Sequence, residues 1–277
     1  MTAGWSVPSG DQRIRVAVVG AGGRMGATVC KAVEGASDLA LVAAVDPMAA
    51  GCQATPGGLV IAADLGAVAE SEASMIVDFT VVDAARETLA WCASRHLHAV
   101  VGTTGFSADD LDDIGGWFPR TGTAGCIVAP NFAIGAILMM RFAELASPWF
   151  DTAEIVELHH NAKRDAPSGT ALRTAERMAA ARAAAGAGDW AADPTTTEVV
   201  AGARGGVGPA GLHLHAVRLQ GLVAHQEVLL GTSGETLTVR HDSYERSSFM
   251  PGVLLAVRGV AGRPGLTVGL DPLLGLD

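Results

Sequence analysis

The sequence predicts an α/β protein, a parallel-sheet domain followed by a smaller α+β region. Three observations lead there. Short valine- and isoleucine-rich runs alternate with amphipathic stretches up to residue 129, the pattern of strands joined by crossover helices. Those runs end in or near Gly, Asp, Thr or Asn, which gathers polar ends along one edge of a parallel sheet, where ligands bind. After Asn131 the order changes to a long helix, a strand, a helix and then three strands in succession.

Each element has a local reason. Residues 13–19 alternate little and are rich in valine, a buried strand, stopped by Gly20. A helix follows to about Glu34. Residues 39–45 are a second strand with Asp46 at its end, and 75–79 a third, with Asp78 near its end and Thr80 just after. Residues 83–94 have helical apolar spacing. Residues 98–101 form a strand stopped by Gly102-Thr-Thr-Gly105. Residues 107–117 form a helix with Ser107 as N-cap and acids in the first turn. Residues 127–129 are a short strand stopped by Pro130. Beyond it we expect a helix over 133–147, a strand over 153–159 and an alanine-rich helix over 170–185. Strands at 212–219, 223–232 and 235–241 come next, joined by short turns. The Gly-rich run 202–211 is a loop that can be mobile. A last helix spans 249–260, with Pro251 in its first turn and Pro264 and Gly265 beyond its end.

The bulk properties narrow the function. A chain of 277 residues holds one large or two ordinary domains, and 49% hydrophobic content fills a core. A net charge of −10 argues against nucleic acid and against a polybasic membrane contact. No window is long and apolar enough for a membrane span, and residues 1–12 read as a flexible tail without an apolar signal core. The four cysteines, Cys30, Cys52, Cys92 and Cys126, lie far apart and read as buried free thiols of a reducing cytoplasm.

Gly20-Ala-Gly-Gly-Arg-Met-Gly26 sits between a strand and a helix. Small residues let the backbone approach a pyrophosphate, and the helix start offers N–H groups to its charge. The spacing is G-x-x-G-x-x-G, through Gly20, Gly23 and Gly26, because Met25 stands where the usual fingerprint has its last glycine. Asp46 is placed to accept from the adenosine ribose hydroxyls and to repel a 2′-phosphate. Pro47 and Met48 follow it, with no arginine to hold that phosphate. Arg24 in the loop keeps NADPH open, so we expect NADH preferred, or dual use with NADPH.

The densest chemistry lies in Glu157-Leu-His-His-Asn-Ala-Lys-Arg-Asp-Ala-Pro-Ser-Gly-Thr170. The chain carries 19 Lys and Arg, of which only Lys31 and Lys163 are lysines. A lysine kept between His160 and the Pro-Ser-Gly-Thr turn points to a task that guanidinium, which stays charged, cannot do: giving up a proton.

Together with Val101-Gly-Thr-Thr-Gly-Phe106 and Ala129-Pro-Asn-Phe-Ala-Ile-Gly135, these two motifs resemble the 4-hydroxy-tetrahydrodipicolinate (dihydrodipicolinate) reductase family of the diaminopimelate and lysine pathway. The likeness runs in order and spacing through nearly the whole chain after the tail. Residues 220–243, with Val223-Ala-His-Gln-Glu227, look like the actinobacterial branch. The resemblance implies a Rossmann domain plus an α+β domain with an open mixed sheet. It places residues 13–131 and 245–277 in the dinucleotide domain and 132–244 in a domain that binds substrate and assembles a homotetramer. It also implies that Gly20, Ala21, Gly22, Gly23, Arg24 and Met25 bind the dinucleotide phosphates and Asp46 the ribose. Gly102, Thr103, Thr104, Ala129, Pro130, Asn131 and Phe132 would line the nicotinamide side. His159 matches the acid/base residue and Lys163 the proton donor, while His160, Gly169 and Thr170 would hold a small dicarboxylate substrate. A helix start opened by Ser168-Gly-Thr170 serves one carboxylate, Gly169 letting the backbone come close.

Three other readings compete. His213 and His215 share a strand face, with His225 and His241 on neighbouring strands, but no metal-ligand spacing accompanies them, and satisfied sheet histidines are expected rather than a metal site. A paralogue acting on another cyclic imine, or an aspartate-dehydrogenase-like enzyme, would shift the His-His-x-x-Lys and Ser-Gly-Thr set. A silent dinucleotide-binding regulator would lack His159 or Lys163. Both are present.

Overall fold

The computed structural model describes residues 13–276; the tail expected over residues 1–12 lies outside the described residues. The chain forms two compact units, one of residues up to Phe132 and from Phe249, the other of Ala133–Ser248.

The first unit opens with β1 (Ile14–Val19), α1 (Arg24–Glu34), β2 (Leu39–Val45), α2 (Gly66–Glu70) and β3 (Met75–Asp78). It continues with α3 (Val82–Ser94), β4 (His98–Val101), α4 (Ala108–Trp117) and β5 (Gly125–Val128). The second unit holds α5 (Ile134–Ala146), β6 (Thr152–His159), α6 (Gly169–Ala184), β7 (Gly206–Val207), β8 (His213–Arg218), β9 (Ala224–Thr232) and β10 (Glu235–Ser243). The chain then returns to the first unit with α7 (Met250–Gly259), β11 (Gly265–Val268) and α8 (Asp271–Leu274).

The first sheet runs β11-β5-β4-β3-β1-β2, and every neighbouring pair is parallel. Its strands are near-continuous apolar runs because helices cover both faces of such a sheet. Val16, Val18, Ile76, Val77, Val100 and Ile127 are fully buried. The strand order reverses beside β1, so the turn after β1 and the end of β3 lie at the switch point where α/β sheets bind ligands. Ser107 caps α4 through a reciprocal pair with Asp110, as its sequence predicts.

The second sheet runs β10-β9-β6-β8-β7. The strands expected at 212–219, 223–232 and 235–241 therefore do not form a simple meander. β6 lies between β8 and β9, parallel to the former and antiparallel to the latter. Along β6, Ala153, Ile155 and Glu157 alternate inward. Ala153 and Ile155 join a core with Ala171, Ala175 and Met178 of α6 and Val228 and Leu230 of β9.

Two elements carried no sequence expectation, β11 and α2, and two expectations, for residues 202–211 and for Cys52, need correction. Residues 265–268 form the edge strand β11, which four residues behind Pro264 and a Gly265 at φ +91° do not announce. The short helix α2 has too few turns to show a period. The loop over 202–211 contains β7, paired to β8. Cys52 is exposed, whereas Cys30, Cys92 and Cys126 are buried; burial pushes the Cys30 and Cys92 thiols up to about 12.

Candidate active site

The turn after β1 is shaped by close approaches. Gly20 has φ +79°, and a Cβ there would lie 2.7 Å from the Phe79 carbonyl oxygen. A Cβ on Gly26 would fall 2.0 Å from the Gly20 oxygen, so α1 sits on the turn only because position 26 has no side chain. The Gly20 and Ala21 amides donate to the Val45 carbonyl, the Gly23 amide to Gly20 and the Gly22 amide to Asp46 Oδ2 at 3.0 Å. Four of the six amides that the sequence groups around a phosphate are thus committed inside the protein. Arg24 and Met25 open α1, whose N-cap Gly23 makes no side-chain cap, so their N–H groups are the ones left for an anion.

Asp46 holds the turn from the other side. Its Oδ1 accepts from the Met48 amide at 2.9 Å, capping a 3-10 turn over Pro47–Ala49. Each carboxylate oxygen keeps a lone pair for a ribose hydroxyl. Glycine at position 22 leaves Asp46 and Ala49 within reach of a ligand, since a Cβ would lie 2.4 Å from Ala49 Cβ. These donors and this carboxylate fit an adenosine dinucleotide.

The loops after β3, β4 and β5 meet at the same sheet edge. Asp78, fully buried, accepts at Oδ1 from the Thr80 amide (2.9 Å), the Thr80 hydroxyl (2.7 Å) and the Thr103 hydroxyl (3.2 Å). Its Oδ2 has no partner, and burial raises its pKa against these hydrogen bonds. A Cβ on Gly102 would strike the Phe79 ring at 2.0 Å, and that ring packs on Phe132 with centroids 5.6 Å apart. Ala129 and Phe132 are buried, while Thr104 and Pro130 are exposed and Asn131 lies between. Asp78 and Phe79 are contributors that the sequence reading left without a role. An acid at a strand end followed by an aromatic was the available signal.

The second unit brings His159, His160, Lys163, Gly169 and Thr170 together at the end of β6 and the start of α6. His159 Nδ1 lies 2.6 Å from Glu157 Oε2. Glu157, fully buried, also receives both arms of Arg218 (Nη1 to Oε2 at 2.8 Å, Nη2 to Oε1 at 2.7 Å) and the Ser168 amide at 3.0 Å. Burial is the largest single influence on Glu157 and raises its pKa, yet Arg218 and His159 together bring it below the ordinary range. An ionised carboxylate only accepts, so the His159 proton sits on Nδ1 and Nε2 is left for chemistry. Burial lowers the His159 pKa most; Glu157 raises it part of the way back, and Lys163 and Arg218 push it down. The imidazole is therefore neutral at pH 7.

Lys163 Nζ donates to both oxygens of Asp165. His160 is exposed, its amide donating to the Val223 carbonyl. Ser168 caps α6 by accepting from the Ala171 amide at 3.2 Å. With the Ser168 amide already on Glu157, the helix start is less open than the sequence suggests, and the Gly169 amide is the donor next in line. A Cβ on Gly169 would meet nothing within 4 Å, so this glycine faces open space rather than a neighbouring backbone.

Three of the four strand histidines have hydrogen-bond or ion-pair partners: His213 meets the Arg204 carbonyl and Asp193, His215 meets Glu154, and His225 meets Asp242. Among the described residues no group of three or more His, Cys, Asp or Glu could hold a metal ion.

An all-parallel sheet with a glycine turn at its switch point, in a chain whose second unit presents a held histidine and a lysine, defines a nicotinamide-nucleotide oxidoreductase. Residues 14–132 match the N-terminal part of dihydrodipicolinate reductase and residues 135–274 its C-terminal part. The chain belongs to the dihydrodipicolinate reductase family. It is 52% identical over 263 residues to the 4-hydroxy-tetrahydrodipicolinate reductase of Nocardia farcinica, covering 95% of this chain and 99% of that one. Identity is 53% over 264 residues to the enzyme of Cutibacterium acnes, covering 95% and 100%. A solved dipicolinate-bound dihydrodipicolinate reductase from Paenisporosarcina superposes with a TM-score of 0.81 at 36% identity, over 94% of this chain and 99% of that chain. An amine dehydrogenase from Mycobacterium smegmatis, 14% identical at a TM-score of 0.58 over 92% and 94% of the two chains, shares the fold alone.

Proposed function

We propose that this chain reduces 4-hydroxy-tetrahydrodipicolinate to tetrahydrodipicolinate in diaminopimelate and lysine biosynthesis. The reading rests on one arrangement above others: His159 held by Glu157 beside Lys163 and the start of α6. The solved relative binds dipicolinate, a flat ring with two carboxylates. Two negative charges on a ring call for basic and N–H donors, which His160, Lys163, Gly169 and Thr170 supply here without a metal.

A reduced nicotinamide, when bound, supplies one hydride. The rest falls to the chain's own groups. The ring loses its hydroxyl as water, gains the hydride at the conjugated carbon and passes electron density toward the imine nitrogen. A proton must then reach the carbon next to that imine carbon. Lys163 Nζ is the donor, and neutral His159, open at Nε2, is its acid/base partner. Arg24 and Met25 amides take the dinucleotide phosphates, and Asp46 takes the ribose hydroxyls. Gly102 to Thr104 and Ala129 to Phe132 form the nicotinamide side. The Asp46 carboxylate disfavours a 2′-phosphate, so NADH is preferred, with exposed Arg24 allowing NADPH as well.

No helix among the described residues is long and apolar enough to cross a membrane. We assign the protein to the cytoplasm, as a homotetramer joined through the face of the second sheet that α5 and α6 leave uncovered. Leu229, exposed between the buried Val228 and Leu230, points to that face.

The test is a coupled assay. Aspartate semialdehyde and pyruvate, with the upstream synthase, generate the unstable substrate in place, and nicotinamide absorbance is followed with NADH and NADPH in turn. Oxidation that requires both precursors supports the reading. Dinucleotide binding without oxidation overturns it.

A further inference from the structure

Glu157 is a buried carboxylate that touches His159 but takes no proton in the steps above. It stands on the inward face of β6, where the alternation calls for an apolar residue like Ala153 and Ile155. Burying an ion there is costly unless every lone pair is met, and here each oxygen receives two donors. Those donors belong to three parts of the site. One is the His159 ring. One is the Ser168 amide, immediately before Gly169 and Thr170. The third is Arg218, whose Nη2 also donates at 2.7 Å to the carbonyl of Asp165, the residue whose carboxylate holds Lys163.

We propose that Glu157 is the positioning residue of this site, fixing the His159 ring with its proton on Nδ1 while it anchors the first turn of α6. The proposal rests on the reading of His159 as acid/base partner. An ion pair serving only to tie β6 to β8 would need Arg218 alone. The hydrogen bond to His159 adds nothing to that tie, but it decides which ring nitrogen faces outward. In serine proteases the same carboxylate-to-imidazole arrangement selects the tautomer, and the amide replacement costs about 10⁴-fold in kcat through the wrong one.

The charged and titratable groups facing this centre are Arg218 from β8, Lys163 and Asp165 from the turn after β6, and His159 itself; β9 contributes the uncharged Gln226 opposite Glu157. In Glu157→Gln the amide oxygen can keep the Ser168 and Arg218 Nη2 bonds, while the amide nitrogen gives up the Arg218 Nη1 bond, donates to His159 Nδ1 and moves the proton to Nε2. Glu157 raises the His159 pKa, so its loss moves the pH-rate limb owed to His159 to lower pH.

The experiment compares Glu157→Gln, Glu157→Asp and His159→Gln in the coupled assay across pH, with ¹⁵N-imidazole NMR of the unmodified protein. We expect Glu157→Gln to lose at least about tenfold in kcat, by the tautomer argument, with KM within about threefold and the limb displaced to lower pH. Glu157→Asp should regain part of kcat. NMR of the unmodified protein should show His159 protonated at Nδ1 at neutral pH; an Nε2–H ring there overturns the proposal even if no Glu157 variant folds. Impaired His159→Gln beside a Glu157→Gln variant with full kcat and an unmoved limb overturns the positioning role alone. Full kcat in His159→Gln removes the acid/base reading beneath it, and the proposal with it.

Discussion

Lys163 Nζ lies 2.8 Å from each carboxylate oxygen of Asp165, two residues further along the same turn. The ammonium that we assign as proton donor is therefore held by a largely exposed partner. Replacing Lys163 with alanine should lower kcat by at least about 10²-fold, the lower bound for a positioned general acid. Dinucleotide affinity, measured by fluorescence titration, should survive. Lys163→Arg keeps the charge but not the proton transfer and should not rescue. An unchanged kcat in the alanine variant would remove Lys163 from the reaction.

Asp165→Asn frees that ammonium. An exposed ion pair is worth about 1 kcal/mol or less, so KM for the substrate should fall by no more than about fivefold and Tm should hardly move. A large rise in KM would show that Asp165 helps to bind substrate instead of competing with it.

Two glycines should respond in opposite ways. Gly26→Ala drives a methyl into the Gly20 carbonyl, 2.0 Å away, and overpacking of this kind costs about 1–3 kcal/mol or more. Thermal unfolding should show a clear loss of stability. Gly169→Ala places its methyl in open space at a helix start, so Tm should hold while KM rises. Equal Tm losses in both would show that position 169 is a packing site.

The cofactor reading depends on one carboxylate. Two unit charges 4 Å apart repel by about 1 kcal/mol even in bulk water. Asp46→Asn should therefore shift the ratio of NADH to NADPH kcat/KM toward NADPH by at least about fivefold. Steady-state kinetics with each nucleotide decides it, and an unmoved ratio places the discrimination elsewhere.

Asp78 carries a pH dependence of definite sign. Its folded pKa is raised, first by burial, so the folded state binds its proton more tightly than the unfolded chain. The stability this contributes is full below the unfolded carboxylate value of about 4 and is lost as pH rises through the folded value. Asp78→Asn removes the titration. The Tm of the variant relative to the unmodified protein should rise between pH 4 and pH 8; a difference independent of pH would mean that Asp78 stays ionised throughout.

Much of this was legible in the sequence because local physics states it. The runs at β1 to β4 are short and dominated by valine, isoleucine and alanine, and Gly20 to Gly26 with Asp46 announce a turn whose backbone must approach a ligand. The motif from His159 to Thr170 predicts which side chains meet. What was not legible depends on pairing between distant segments. Arg218 reaches Glu157 because β8 lies beside β6, and no local pattern says that β6 is inserted between β8 and β9. Glu157 did carry a signal, an acid on the inward phase of a strand, but its meaning depends on Arg218. The internal acceptors of the glycine-turn amides were not legible for a related reason, since Val45 and Asp46 lie on and just after the next strand.

The parallel pairing of β11 with β5, Gly125 beside Gly265, has a consequence for the order of events during synthesis. All of the second unit emerges from the ribosome between these two strands. Throughout that interval β5 presents an unpaired edge, the kind of surface on which nascent chains aggregate or chaperones bind. The second unit, which is continuous in sequence, can fold early, while the dinucleotide sheet completes its last edge only when residues 265–268 have been made.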